Sequence, residues 1–74
     1  MEKLKNNIRS MRFFKGLTGD DIYILTDRQI MQPTLSRIER GVAIPTPMQK
    51  ELIAKALEES IEDVFPENEK GGMR

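Results

Sequence analysis

The ten residues from Gln32 to Gly41 hold the side chains best suited to chemistry in this chain. Gln32 brings a carboxamide and Arg37 a guanidinium. Each is planar and can form paired hydrogen bonds with a flat polar edge. Base edges in the major groove of a duplex are such edges. Thr34, Ser36 and Arg40 add two hydroxyls and a second guanidinium. Leu35 and Ile38 are three positions apart and share one side of a helix. Pro33 suits the first helical position, where its missing N–H has no intrahelical partner. Gly41 suits the left-handed residue that ends a helix. The spacing predicts a short helix from about Pro33 to Arg40, apolar on one side and polar on the other. A solvated face with no further role has the same composition.

Other chemistries are poorly served. The chain has 74 residues, no cysteine and no histidine. Thiolate and imidazole chemistry are therefore ruled out, and a zinc site would rest on carboxylates alone. There is no glycine-rich phosphate loop, and no acid pair is walled into a cleft, so an enzyme is not expected. Glu58, Glu59, Glu62 and Asp63 form one short run, which suits a solvated helix start better than a metal site. No cofactor, metal or small-molecule ligand is expected. No apolar run approaches the roughly 20 residues of a bilayer span. The N-terminal residues lack the apolar stretch of a signal peptide. A soluble cytoplasmic protein is the expectation, and the missing cysteines agree with a reducing compartment.

Formal net charge is zero, but its distribution is uneven. Residues 1–41 carry eight Lys/Arg against five Asp/Glu, and residues 42–74 carry four against seven. The first part is drawn toward phosphates and the second is repelled by them. A mixed surface that merely keeps the chain dissolved has the same pattern.

The remaining elements follow from periodicity and punctuation. Leu4, Ile8 and Met11 recur at helical spacing, with no breaker before Gly16. They predict a first helix from about Lys3 to Lys15. Thr18 can cap a second helix, with Asp21 completing a capping box and Asp20 favouring the positive end of the helix dipole. Ile22 to Leu25 has strand-like composition, but the capped start favours a helix. Asp27 to Met31 forms a turn before the helix of residues 33–40. After a loop at Val42 to Pro45, Thr46, Pro47 and Gln49 signal a fourth helix. Leu52, Ile53, Ala56 and Leu57 form its buried stripe. Ser60 and Asp63 open a last short helix that Pro66 ends. Residues 1–66 thus form one domain, and residues 67–74 a disordered tail. The predicted core comprises Ile8, Met11, Leu17, Ile22, Leu25, Ile30, Leu35, Ile38, Ile53, Leu57, Ile61, Val64 and Phe65.

Laid out in this way, the chain resembles the Cro/repressor-type helix-turn-helix family, the lambda-repressor-like DNA-binding domains of phage and bacterial regulators. The resemblance runs from about Asn7 to Pro66. Its strongest pieces are Ile8 to Arg12, Lys15 to Thr18, Gln32 to Gly41, Ile53 to Leu57 and Asp63 to Pro66. It implies an all-α, compact five-helix domain whose second and third helices form the helix-turn-helix. The third is then the recognition helix. Gln32, Pro33, Thr34 and Arg37 look like the base-facing set, through adenine, thymine-methyl and guanine contacts. Ser36 and Arg40 look like backbone contacts. So do Thr18 and the Gly19 N–H at the start of helix two. Arg12 and Glu39 occupy the places of a pair that bridges helices one and three in the family, and Arg12 can also touch phosphate. The implied partner is double-stranded DNA with a palindromic operator, bound by a homodimer in the cytoplasm of a bacterium or for a phage.

Four features depart from the family pattern. Gly19 stands where a glutamine is usual, and Tyr23 where a small alanine is usual. The turn is about two residues longer, with Asp27 and Arg28 as the insertion and Ile30 as the buried turn residue. The loop Val42 to Ile44 lacks the basic residues that relatives place beside phosphates.

Phe13 points away from the apolar stripe of helix one, and Phe14 sits on its flank. Exposed, they suit a partner or dimer contact; partly covered, they are packing. The sequence therefore supports a DNA-binding transcriptional regulator of repressor type. Its alternative is a protein-interaction module, an antirepressor or an antitoxin-like partner on the same fold.

Overall fold

The computed structural model describes residues 6–66, and these form five helices with no strand among the described residues. They are α1 (Ile8–Lys15), α2 (Gly19–Leu25), α3 (Gln32–Glu39), α4 (Pro47–Leu57) and α5 (Ile61–Val64). The chain is all-α, as its periodicity predicts. Ile22 to Leu25 is helical. None of these helices is long and apolar enough to cross a membrane. The predicted tail, residues 67–74, and the predicted helical residues 3–5 lie outside the described residues.

The first helix starts later than its periodicity predicts, because Asn6 and Asn7 are not helical. Asparagine side chains compete with the helix for backbone partners. Asn6 Oδ1 accepts from the Ile8 N–H at 3.2 Å, and its Nδ2 donates to the Ile38 carbonyl at 2.8 Å. The Asn7 N–H donates to the Val64 carbonyl at 2.9 Å, and its Nδ2 to the Asp63 carbonyl at 2.7 Å. The start of α1 is thereby tied to the end of α3 and to α5. At the other end Gly16 takes φ 70°. Its N–H bonds Phe13 and the Leu17 N–H bonds Arg12. That closure needs a left-handed residue, which glycine supplies without steric cost.

Helix α2 has its full capping box. Thr18 Oγ1 accepts from the Asp21 N–H at 3.1 Å, and Asp21 Oδ2 accepts from the Thr18 N–H at 2.8 Å. The helix ends at Thr26, which is 1% exposed. Thr26 Oγ1 lies 2.7 Å from the Ile22 carbonyl and accepts from the Ile30 N–H at 3.2 Å. One hydroxyl thus bridges the last turn of α2 to the far side of the loop. Between them Asp27 and Arg28 take φ 60° and 62°. Two consecutive left-handed residues with side chains are uncommon and cost roughly 1–2 kcal/mol each. They reverse the chain so that Ile30 reaches the interior.

Helix α3 begins one residue earlier than predicted, with Gln32 rather than Pro33, and Arg40 is its C-cap rather than its last residue. Gly41 is left-handed at φ 79°, as predicted. Helix α4 opens with the predicted capping box between Thr46 and Gln49. It closes on Glu58 at φ 58°, a left-handed position that the sequence did not announce. Ser60 Oγ accepts from the Asp63 N–H and starts α5.

Helix α4 is the centre of the packing. Helices α1, α2 and α5 all lie against it, and α3 packs on α2. Most of the predicted core is buried, with Met11, Leu17 and Ile61 half-buried at its edge. Leu25 is a correction, being 53% exposed. The helix ends there, and the inward position one turn after Ile22 goes to Thr26. Ala54 is buried without having been predicted.

Replacing Thr26 with valine keeps the shape but removes the acceptor of a buried N–H. An unsatisfied buried donor costs about 1–3 kcal/mol. Urea unfolding of Thr26→Val should show a loss of about 2 kcal/mol, with an unchanged denaturant slope.

Candidate nucleic-acid interface

Helix α3 is anchored by one face and open on the other. Leu35 is 3% and Ile38 1% exposed. Gln32, Pro33, Ser36, Arg37 and Arg40 are exposed, and Thr34 is half-buried. The Arg37 and Arg40 guanidinium groups have no ion-pair partner among the described residues. The predicted polar face therefore stands outward, although Thr34 is the least accessible member of its set.

The helix is held in azimuth by Arg12. Its Nε donates to Glu39 Oε2 at 2.8 Å and its Nη2 to Glu39 Oε1 at 3.2 Å. Nη1 donates to the Leu17 carbonyl at 3.1 Å. The two side chains are 16% and 11% exposed. This fork joins α1, the turn before α2 and the last turn of α3. Three of the five N–H donors of Arg12 are committed to the protein, so two remain for any anion.

Gln32 is the informative surprise. Its Nε2 donates to Asp20 Oδ1, across from α3 to the first turn of α2. A carboxylate only accepts, so the amide nitrogen must face Asp20. The head group also lies over Gly19. A Cβ placed on Gly19 would stand 3.3 Å from Gln32 Oε1. The space that a side chain at residue 19 would need is thus partly filled from α3. Asp20, Tyr23, Met31, Gln32 and Pro33 line a shallow groove of about 240 Å³ between the two helices. Tyr23 forms part of that groove wall.

The start of α2 is more acidic than a phosphate site requires. Asp20 and Asp21 both occupy its first turn. In the capping box the Thr18 N–H donates and Thr18 Oγ1 accepts, so the hydroxyl keeps its own proton for an anion. The Gly19 N–H stands beside it as a second donor there.

Sequence reasoning located α3, its outward polar residues and the Arg12–Glu39 pair. It did not find Asp20 as the partner of Gln32, because the link spans twelve residues and depends on how the two helices cross. The left-handed pair Asp27 and Arg28 was visible only as extra length. Phe13 and Phe14 are 77% and 90% exposed. Phe13 lines a second shallow groove together with Arg12, Gly16, Leu17, Thr18 and Gly19. Comparison with protein-family models, curated proteins and solved structures gives no match to this chain.

The fork at Arg12 predicts an uneven response to charge removal. Glu39→Ala leaves a largely buried guanidinium without its partner and should cost about 2 kcal/mol in chemical denaturation. Arg40→Ala, on the open face, should stay within about 0.5 kcal/mol of the parent.

Proposed function

We propose that this chain is a sequence-specific binder of double-stranded DNA, acting as a transcriptional regulator of Cro/repressor type. Helices α2 and α3 serve as its helix-turn-helix. The observation that carries this reading is the placement of α3. One face is sunk into the core, the guanidinium fork fixes its rotation, and an amide and two guanidinium groups stand on the outer side. A rod so held can enter a major groove without rearrangement.

The parts divide by role. Arg37 reads a guanine edge with two parallel N–H bonds. Gln32 reads an adjacent edge through Oε1 and the N–H that Asp20 leaves free. That acceptor–donor pair matches adenine. Pro33 and the Thr34 methyl meet thymine methyls. Ser36 and Arg40 hold the phosphate backbone, with a lesser share from the Gly19 N–H, Thr18 and Arg12. Two copies on a palindromic operator double the short site that one helix covers. Occupancy of the operator in the cytoplasm then excludes polymerase. The function is equilibrium binding, with no reaction catalysed and no cofactor.

A second reading is a protein-interaction module, an antirepressor or antitoxin-like partner. The exposed Phe13 and Phe14 and the two acids opening α2 favour it.

Selection of bound duplexes from a random pool, at two salt concentrations, separates the two. A DNA reader enriches a palindromic site, and its affinity falls steeply with salt. Binding that is weak and indifferent to sequence would leave the interaction module standing. Within the first reading, Arg37→Ala should cost about 1–3 kcal/mol at one position per half-site. Arg40→Ala should weaken all sequences alike and lower the salt slope by about one. Asp20→Ala should act in two opposite directions. Removing a carboxylate beside the duplex raises affinity for any sequence, while freeing the Gln32 head group flattens preference at its base. Fluorescence titrations with matched and mismatched duplexes would read both. Unchanged preference would refute the role given to Asp20.

A further inference from the structure

Phe13 is 77% exposed, so packing does not account for an aromatic ring at this position. Its surroundings are specific. The groove that it lines with Arg12, Gly16, Leu17, Thr18 and Gly19 holds about 360 Å³. Gly19 is also the residue over which the Gln32 head group lies. Phe13 is therefore continuous with the outer side of α3 through a single glycine. Arg9 stands one turn before Phe13, on the same side of α1, and is exposed. One surface track thus runs from Gln32 across Gly19, along the groove, past Phe13 and on to Arg9.

The polar groups along the track are donors. Arg12 has two N–H groups beyond its fork, and Thr18 has its hydroxyl proton. Helix α1 carries Arg9, Arg12 and Lys15 and no acid. The nearest acids are engaged, Asp21 by the Thr18 N–H and Asp20 by the Gln32 amide. Cationic donors on either side of an apolar ring match the alternation along a nucleic-acid strand. In a duplex the bases face inward, so a strand beyond the groove edge offers phosphate and sugar. The phosphates go to the donors. The carbon surface of the sugar is what an uncharged ring can cover.

We infer that Phe13 is a further DNA contact, its ring packed on a deoxyribose that flanks each half-site, between phosphates held by Arg12 and Arg9. The inference rests on the duplex-binding reading above and adds a sugar-selective element to it. A deoxyribose carries no oxygen on its 2′ carbon. A 2′-hydroxyl at that nucleotide would be pressed against the ring without a partner, which disfavours ribose there. The contact is apolar, so it displaces no counterions and is blind to base sequence.

The test titrates the duplex selected from the random pool with the parent, Phe13→Ala, Phe13→Leu and Phe14→Ala, at several salt concentrations. Phe13→Ala should bind about five- to tenfold more weakly, by the same factor for matched and mismatched duplexes. Its salt slope should equal that of the parent. Phe13→Leu should recover most of the affinity, and Phe14→Ala, outside the groove, should bind as the parent does. A single ribonucleotide is then moved through the flanks of the site. At one position per half-site the parent should lose about threefold or more, while Phe13→Ala loses nothing. Equal affinity of Phe13→Ala and a sequence-selective parent overturns the inference and leaves the duplex reading intact. So does an equal loss from Phe14→Ala, a lowered salt slope, or a flat ribonucleotide scan. A parent that selects no duplex overturns the reading beneath, and the inference with it.

Discussion

The guanidinium of Arg12 is the constraint on which the geometry of this molecule rests. It binds both oxygens of Glu39 and the carbonyl of Leu17, and so fixes three elements with one planar group. A hydrophobic seam alone would not do this. Leu35 and Ile38 pin the axis of α3 to the core, but apolar contact is non-directional and permits rotation about that axis. The fork removes that freedom. Which side chains stand outward is therefore an electrostatic decision made on the protected side of the helix. Asn6 adds to it by donating to Ile38 near the same end.

The other end of α3 is fixed by different means. Thr26 joins the end of α2 to Ile30 through one buried hydroxyl, and two left-handed residues turn the chain between them. The Gln32 amide then leans onto the first turn of α2. The helix is thus clamped at its C-terminal end by a charge pair and at its N-terminal end by a hydroxyl and an amide. Between the clamps, the outer face presents Pro33, Ser36 and Arg37 to solvent. A surface prepared in this way binds with little reorganisation, which is where a small domain gains specificity for the least stability.

Much of this was legible in the sequence, for local reasons. Thr18 with Asp21 and Thr46 with Gln49 announce capped helices because both partners lie within one turn. Gly16 and Gly41 announce ends because glycine alone reaches positive φ without strain. Arg12 and Glu39 are distant in sequence, and their pairing was read from a resemblance and not from spacing. What was not legible depends on where helices cross. The bond from Gln32 to Asp20 needs the angle between α2 and α3. The exposure of Leu25 needs to be known from the turn, which sends Thr26 inward in its place. Asn6 and Asn7 look permissive within a helical pattern, yet their side chains compete with the helix and win because α3 and α5 lie within reach.

Tyr23 gives the fold an unplanned property. The chain has no tryptophan and a single tyrosine, and that phenol lines the groove beside Gln32 and Asp20. Its emission is therefore the molecule's own optical signal, placed in the wall of the α2–α3 groove that Asp20 also lines. Any body that settles there, nucleic acid or protein, changes the light this domain gives off without a dye having been attached.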